Sequence, residues 1–147
     1  MSDLRELYQE VIIDHNRNPR NHHSIDCATN KANGFNPLCG DKLTVYMQIV
    51  NGIIQDISFV GSGCAISQAS ASLMTDALKG QSVDSARQIF GQFHAMLTTD
   101  ASLCLDVEKL NVLAGVREYP ARVKCATLAW HTMDAALAND VSLVVTE

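Results

Sequence analysis

Leu43-Thr44-Val45-Tyr46-Met47-Gln48-Ile49-Val50-Asn51-Gly52-Ile53-Ile54-Gln55-Asp56-Ile57-Ser58-Phe59-Val60 is the stretch that decides the fold. Leu43, Val45, Met47 and Ile49 alternate with Thr44, Tyr46 and Gln48, the period-two pattern of a half-buried strand. Asn51-Gly52 follows, and then a second β-rich run from Ile53 to Val60, so the stretch predicts a β-hairpin. A two-residue Asn51-Gly52 loop would pair Met47 with Asp56 and Val45 with Ser58, splitting the apolar residues between two faces. A three-residue loop, Val50-Asn51-Gly52, pairs Val45 with Ile57 and Leu43 with Phe59 and keeps one apolar face. The three-residue loop, with Gly52 in the left-handed region, is therefore the expectation.

Downstream, the second strand runs into Gly61-Ser62-Gly63-Cys64, and an Ala- and Ser-rich helix from Ala65 to Lys79 is closed by Gly80 at C′. Cys64 then sits at a helix N-terminus, where orphan N–H groups and the helix dipole favour a thiolate. Ser82 caps the next helix, whose stripe of Val83, Ala86, Ile89, Phe90, Phe93, Met96 and Leu97 reads as core, with His94 at its boundary. Residues 98–119 read as a loop plus a short helix around Val107 to Leu113, with Cys104 buried between Leu103 and Leu105. Pro120 opens the last helix at its first turn. Ala121, Cys125, Leu128, Ala129, Thr132, Met133 and Ala136 share one face of it. Taken alone, Cys125 is a core residue on that stripe, flanked by Arg122 and Lys124; Trp130 and His131 read as packing and surface.

Upstream, Leu4, Leu7, Tyr8, Val11 and Ile12 mark one face of a first helix with Ser2 as its N-cap, ending near His15. His15, His22 and His23 read as solvated surface around the polar exit that holds Pro19. Residues 24–35 are weakly patterned. Cys27-Ala28-Thr29 is the candidate for a short edge strand, with Cys27 structural. Asn36-Pro37-Leu38-Cys39-Gly40-Asp41 is a tight turn, since Pro37 sets φ and Gly40 allows positive φ. It aims Cys39 and Asp41 at one point, and a soft sulfur two residues from a hard oxygen suits a borderline metal such as zinc.

The whole chain narrows the classes. Its 147 residues fit one domain, 1–147, with a real core. A net charge of -5 and no basic stripe interleaved with aromatics argue against a nucleic-acid partner. No apolar run approaches the roughly 20 residues of a membrane helix, and the N-terminus lacks the pattern of a secretory signal, so the expected location is the cytoplasm. Five cysteines, an odd number without a C-x-x-C pair, argue against a complete disulfide framework, a thioredoxin-type motif and a zinc ribbon. Cys39, Cys64 and Cys125 fall at places that can converge, and with Asp41 they would make a tetrahedral set. Their long separations do not show convergence by themselves.

Four segments together carry a resemblance. They are Asp14-His15 with Asn18-Pro19-Arg20-Asn21, the Asn36–Asp41 turn, Gly61-Ser62-Gly63-Cys64-Ala65-Ile66-Ser67, and Lys124-Cys125-Ala126-Thr127-Leu128-Ala129-Trp130. In this order they resemble the IscU and NifU N-terminal family of iron–sulfur assembly proteins, and within it the SufU branch. The chain has Lys124 where the classical scaffold branch has a histidine before its third cysteine. It has Arg117-Glu118-Tyr119-Pro120-Ala121-Arg122-Val123 where that branch carries a Leu-Pro-Pro-Val-Lys chaperone-recognition segment.

The resemblance implies an α+β domain: a small antiparallel sheet (hairpin 43–60 plus a short edge strand) packed against several helices, with a metal site at one end. It implies that Cys39, Asp41, Cys64 and Cys125 hold one metal, Zn2+, or alternatively iron or a [2Fe-2S] cluster on the same residues. Three thiolates and a carboxylate carry four negative charges, and either occupant leaves two, so electrostatics do not choose. The implied partners are a SufS-like cysteine desulfurase and downstream iron–sulfur assembly or recipient proteins. The leading expectation is a zinc-dependent sulfur acceptor in which loop-borne Cys39 takes persulfide sulfur while Asp41 holds and tunes the site. The alternatives are a scaffold for a [2Fe-2S] cluster and an adaptor with purely structural zinc.

Overall fold

The computed structural model describes residues 2–99, 107–139 and 142–146. In chain order the elements are α1 (Ser2–Arg17), β1 (Asn30–Asn36), β2 (Asp41–Val50), β3 (Ile53–Ser62), α2 (Ala65–Leu78), α3 (Val83–Thr98), a 3-10 helix (Glu108–Glu118), α4 (Pro120–Leu137) and β4 (Val144–Val145). The strands form one sheet in the order β3-β2-β1-β4. β1, β2 and β3 run antiparallel, and β4 lies parallel to β1, so the sheet is mixed where a purely antiparallel one is expected. The α+β architecture stands. Cys104 and the side chains of Leu4, Leu7 and Tyr8 lie outside the described residues. The first helix takes in Ser2, its expected cap, and runs two residues past His15 to Arg17.

The hairpin turns differently from the expectation. Asn51 and Gly52 both have positive φ, 52° and 76°, and Val50 pairs with Ile53, so the loop has two residues. The register then shifts between Gln48 and Ile49: Ile49 faces Ile54, but Gln48 faces Asp56. Gln55 is an extra residue, a β-bulge. The bulge places Met47 opposite Ile57 and Val45 opposite Phe59, all fully buried. One apolar face is kept, as the burial argument requires, but a bulge achieves it and the turn keeps the two residues that Asn-Gly favours.

The edge strand also sits elsewhere. Cys27 lies in a turn with φ 57°, and its side chain is exposed rather than structural. The strand begins at Asn30 and is internal, between β2 and β4. Its inward positions are Asn30, Ala32, Gly34 and Asn36. Gly34 lets α4 approach, since a β-carbon there would collide with Thr132 Oγ1 and stand 3.0 Å from Leu128 Cδ1. Asn30 Nδ2 donates to Ala136 O at 2.8 Å, a second tie between β1 and α4.

Helix α4 is buried almost all round, with Cys125 to Trp130, Thr132, Met133 and Ala136 inside. Its neighbour α2 is also nearly enclosed, and its small side chains allow that. Ser70 Oγ accepts from Trp130 Nε1 at 3.1 Å and donates to Ala126 O, so the buried hydroxyl and indole between these helices pair with each other and with α4. Ser82 caps α3 as expected, its Oγ accepting from Ser85 N at 3.0 Å. Gly80, at φ 87°, closes α2.

His15 is not surface. It is buried, its Nδ1 sharing a hydrogen bond of 2.7 Å with Ser72 Oγ on α2. Arg20 N donates to the same Ser72 Oγ, and Asn21 Nδ2 donates to Thr75 Oγ1. The exit of α1 is thereby stapled onto α2, with Asp14 and Arg20 paired at 2.6 Å outside. Burial pushes the His15 pKa below its ordinary 6.5, Arg20 and Lys109 push the same way, and Asp14 and Asp76 oppose. A histidine kept neutral by folding contributes stability above its unfolded pKa, and loses it as pH falls through that value towards the lowered folded one. Stability should therefore fall as pH drops below about 6.5. His131, also depressed by burial and by the nearby His94, acts in the same window. The readout is thus the difference between wild type and His15→Gln in urea melts from pH 7.5 to 5. The variant should show the shallower slope, and equal slopes would remove the role of His15.

Candidate metal centre

β1 and β2 are joined by a four-residue turn, with Asn36 opposite Asp41. Gly40 N donates to Asn36 O at 2.9 Å, and Gly40 has φ 72°, a conformation a side chain would strain. Asn36 Oδ1 accepts from Leu38 N at 3.2 Å, an Asx turn that pushes Leu38 outward, 60% exposed. Cys39 is half-buried on this tip. Asp41, the first residue of β2, points inward and is fully buried.

Three chain segments close on Asp41. Gly63, after β3, lies against it: a β-carbon there would collide with Asp41 Oδ1 and stand 3.0 Å from Asp41 Cβ and Cγ. Cys64 N donates to Asp41 Oδ1 at 2.8 Å, and Asn36 Nδ2 donates to Asp41 Oδ2 at 3.2 Å. Cys125, in the second turn of α4, brings its sulfur to 3.1 Å from Cys39 Sγ. One atom each from Cys39, Asp41 and Cys125 lie mutually within 4.8 Å. Donor atoms around a tetrahedral ion with bonds of roughly 2.0–2.3 Å stand about 3.3–3.8 Å apart, so these residues fit a metal.

Cys64 is the exception among the four expected ligands. It sits at the N-terminus of α2 as the sequence predicts, and there it is the N-cap, its Sγ accepting from Ser67 N at 3.4 Å. Its sulfur is outside the converged group of three. It is near enough that its charge and hydrogen bonding help to raise the Cys125 pKa.

Burial, first, and then hydrogen bonding to Cys39, the charge of Cys64 and hydrogen bonding to Asp41 hold the Cys125 thiol far above the ordinary thiol range. A cation would reverse that balance. Arg122 supplies a fixed one at the rim: hydrogen bonding to Cys125 and the charges of Cys64, Cys125 and Cys39 raise its pKa. Lys124, the other expected cation, instead lines a groove of about 580 Å³ together with His94, His131 and Asp134.

Two residues of this centre carry no role in the sequence reading, although both stand in the quoted segments. Asn36 bridges Asp41 and Cys125, and Gly63 makes room for Asp41. Position beside the cysteine motifs was the available signal for both.

Fold and site together define a small α+β protein built around a buried cysteine–carboxylate metal group. The chain belongs to the NifU-like N-terminal domain family, whose model matches residues 7–140. It is 38% identical over 140 residues to the zinc-dependent sulfurtransferase SufU of Bacillus subtilis, covering 95% of each chain. It is 36% identical to the iron–sulfur cluster assembly scaffold protein IscU of Streptococcus pyogenes serotype M1, covering 97% of this chain and 89% of that one. Among solved structures it resembles a putative iron–sulfur cluster assembly scaffold protein for the SUF system from Fervidobacterium islandicum AW-1. That match has a TM-score of 0.83 and 32% identity, over 87% of this chain and 94% of the other.

Proposed function

We propose that this protein is a zinc-dependent sulfur acceptor in iron–sulfur cluster assembly. Residues 1–147 act as one domain in the cytoplasm, taking sulfur from a cysteine desulfurase and passing it to later assembly or recipient proteins. The observation that carries the reading is the placement of Cys39. It sits on a half-exposed turn, yet its sulfur lies 3.1 Å from Cys125 Sγ and beside buried Asp41. Cys39, Asp41, Cys64 and Cys125 would hold the zinc. Bound zinc would supply one thing, deprotonated sulfur at neutral pH.

The transfer itself balances without any outside oxidant. Cys39 Sγ attacks the outer sulfur of the desulfurase persulfide. A new S–S bond forms on Cys39 as the partner's S–S bond breaks, and the electron pair leaves on the partner's cysteine as a thiolate. Cys39 is the sulfur placed to move, because it rides on a turn shaped by Pro37 and Gly40, whereas helices anchor Cys64 and Cys125. The test is intact mass spectrometry of zinc-loaded protein after incubation with an active cysteine desulfurase and cysteine. One added sulfur, absent in Cys39→Ser, is expected; unmodified wild type would overturn the reading.

A scaffold role is the second reading, favoured by the oxygen of Asp41 among sulfurs. An oxygen ligand would make a [2Fe-2S] cargo easier to release. After anaerobic reconstitution, Asp41→Ala should then hold its cluster longer than wild type. An unchanged lifetime counts against this reading.

A further inference from the structure

The three sulfurs of the centre do not share the nearby N–H donors equally. Asn36 is fully buried and uses every polar atom of its side chain. Its Nδ2 donates to Asp41 Oδ2 at 3.2 Å and to Cys125 Sγ at 3.4 Å, and its Oδ1 takes the Leu38 N–H at 3.2 Å. Cys64 Sγ takes the Ser67 N–H at the start of α2. Cys39 Sγ receives no N–H among the described residues; its sulfur contact is the thiol of Cys125.

An N–H donor aimed at a thiolate stabilises the lone pair that would attack, so the sulfur becomes a poorer nucleophile while keeping its place. The donors therefore divide the three sulfurs into two that are damped and one that is not. We propose that Asn36 is a selecting and positioning residue: its amide restrains Cys125 and Asp41 and shapes the turn that presents Cys39, so that electrophilic sulfur is captured at Cys39 alone. The proposal deepens the sulfur-acceptor reading and rests on it for the identity of the electrophile. The order of sulfur reactivity stands on the geometry.

The amide does the two tasks through different atoms, Nδ2 towards Cys125 and Asp41 and Oδ1 towards the turn. Asn36→Leu keeps the branched shape but removes donor and acceptor together; Asn36→Ala removes the shape as well. Burial does not separate Cys39 from Cys64, which are both half-buried, but it does set Cys125 apart, so the effect of Asn36 is read from the change at Cys125 in the variants.

The experiment uses zinc-loaded protein under limiting iodoacetamide, with peptide mapping of each cysteine over time, and cobalt-loaded protein for its absorption spectrum. In wild type, Cys39 should be alkylated about tenfold faster than Cys64, the ratio that one charge-assisted hydrogen bond supports, and fully buried Cys125 should be slower still. In Asn36→Leu, Cys125 should become several-fold faster, and the sulfur-to-cobalt charge-transfer band should move to lower energy. A merely structural role of Asn36 would also change the d–d bands, which report the coordination geometry and should stay in place in a protein that still loads cobalt. Equal rates at Cys39 and Cys64 in wild type would overturn the proposal. So would an unmoved band and an unchanged Cys125 rate in a loaded Asn36→Leu or Asn36→Ala protein. If neither variant loads cobalt, the Cys125 rate in the metal-free variants decides, and a rate equal to that of metal-free wild type would overturn the proposal. If the variants show the faster Cys125 but wild type takes no sulfur from a desulfurase, the acceptor reading is lost and the assignment of Asn36 is kept.

Discussion

Gly63→Ala should lower metal affinity by about 10–100-fold while leaving the secondary structure in place. The new methyl would collide with Asp41 Oδ1 and crowd its Cβ and Cγ. Asp41 has no free space to retreat into: it is fully buried, with Oδ1 held by Cys64 N and Oδ2 by Asn36 Nδ2. Displacing it also pulls on the backbone of Cys64, so two of the four proposed ligands are disturbed by one methyl. Competition against a chromophoric chelator reads the affinity, and far-UV circular dichroism reads the fold. Unchanged affinity would show that Asp41 does not need its present place to bind metal.

The largest expected effect on stability is that of Trp130→Ala, about 3–5 kcal/mol. Trp130 is fully buried, stacked on Phe93 with ring centroids 4.5 Å apart and on Phe90 at 6.1 Å. Truncation leaves a cavity between α3 and α4 and removes the donor to Ser70 Oγ. Against a total of about 5–15 kcal/mol for a domain of ordinary stability, the loss is a large fraction. Urea denaturation should show a much lower midpoint with a similar slope. A change under 1 kcal/mol, well below the cost of such a cavity, would mean that the stack is not central to the core. Ser70→Ala keeps the ring and removes the hydroxyl, which accepts from Trp130 Nε1 and donates to Ala126 O, so its cost bounds the polar contribution.

The parts of the fold that the sequence made legible are those whose inward residues are apolar. The stripe of α3 and the alternation of β2 have that character, while the Gly80 stop and the Ser82 cap were legible from the local chemistry of helix ends. β1 escaped because its inward positions are Asn30, Ala32, Gly34 and Asn36, which carry no hydrophobic alternation. Gly34 is small because α4 presses on it, and Asn30 and Asn36 are inside because each has a specific partner. β4, with two residues, is too short to leave a pattern. The bulge at Gln55 arises from a conflict between the two-residue turn and the apolar register, and sequence reasoning resolved that conflict the wrong way. His15 had a usable signal, since it falls three and four residues after Ile12 and Val11 on the helix face that turns inward.

The site was legible in proportion to sequence distance. Cys39 and Asp41 are two residues apart, and a turn explains both. Cys125 lies 86 positions from Cys39, and its convergence came from family resemblance, which the sulfur–sulfur distance of 3.1 Å now gives a geometric basis. The orientation of the Cys64 sulfur, turned to its own helix, is a property of rotamer and cap that no spacing encodes.

The separation between these sulfurs has a consequence for the birth of the protein. During translation Cys39 and Asp41 leave the ribosome early, and Cys64 follows, whereas Cys125 belongs to the last helix. Until α4 emerges the nascent chain exposes an incomplete set of thiols, and the centre closes only when that helix docks on β1 and α2. An ion captured earlier would be held by fewer sulfurs and in water, so full metal loading waits on the docking of α4.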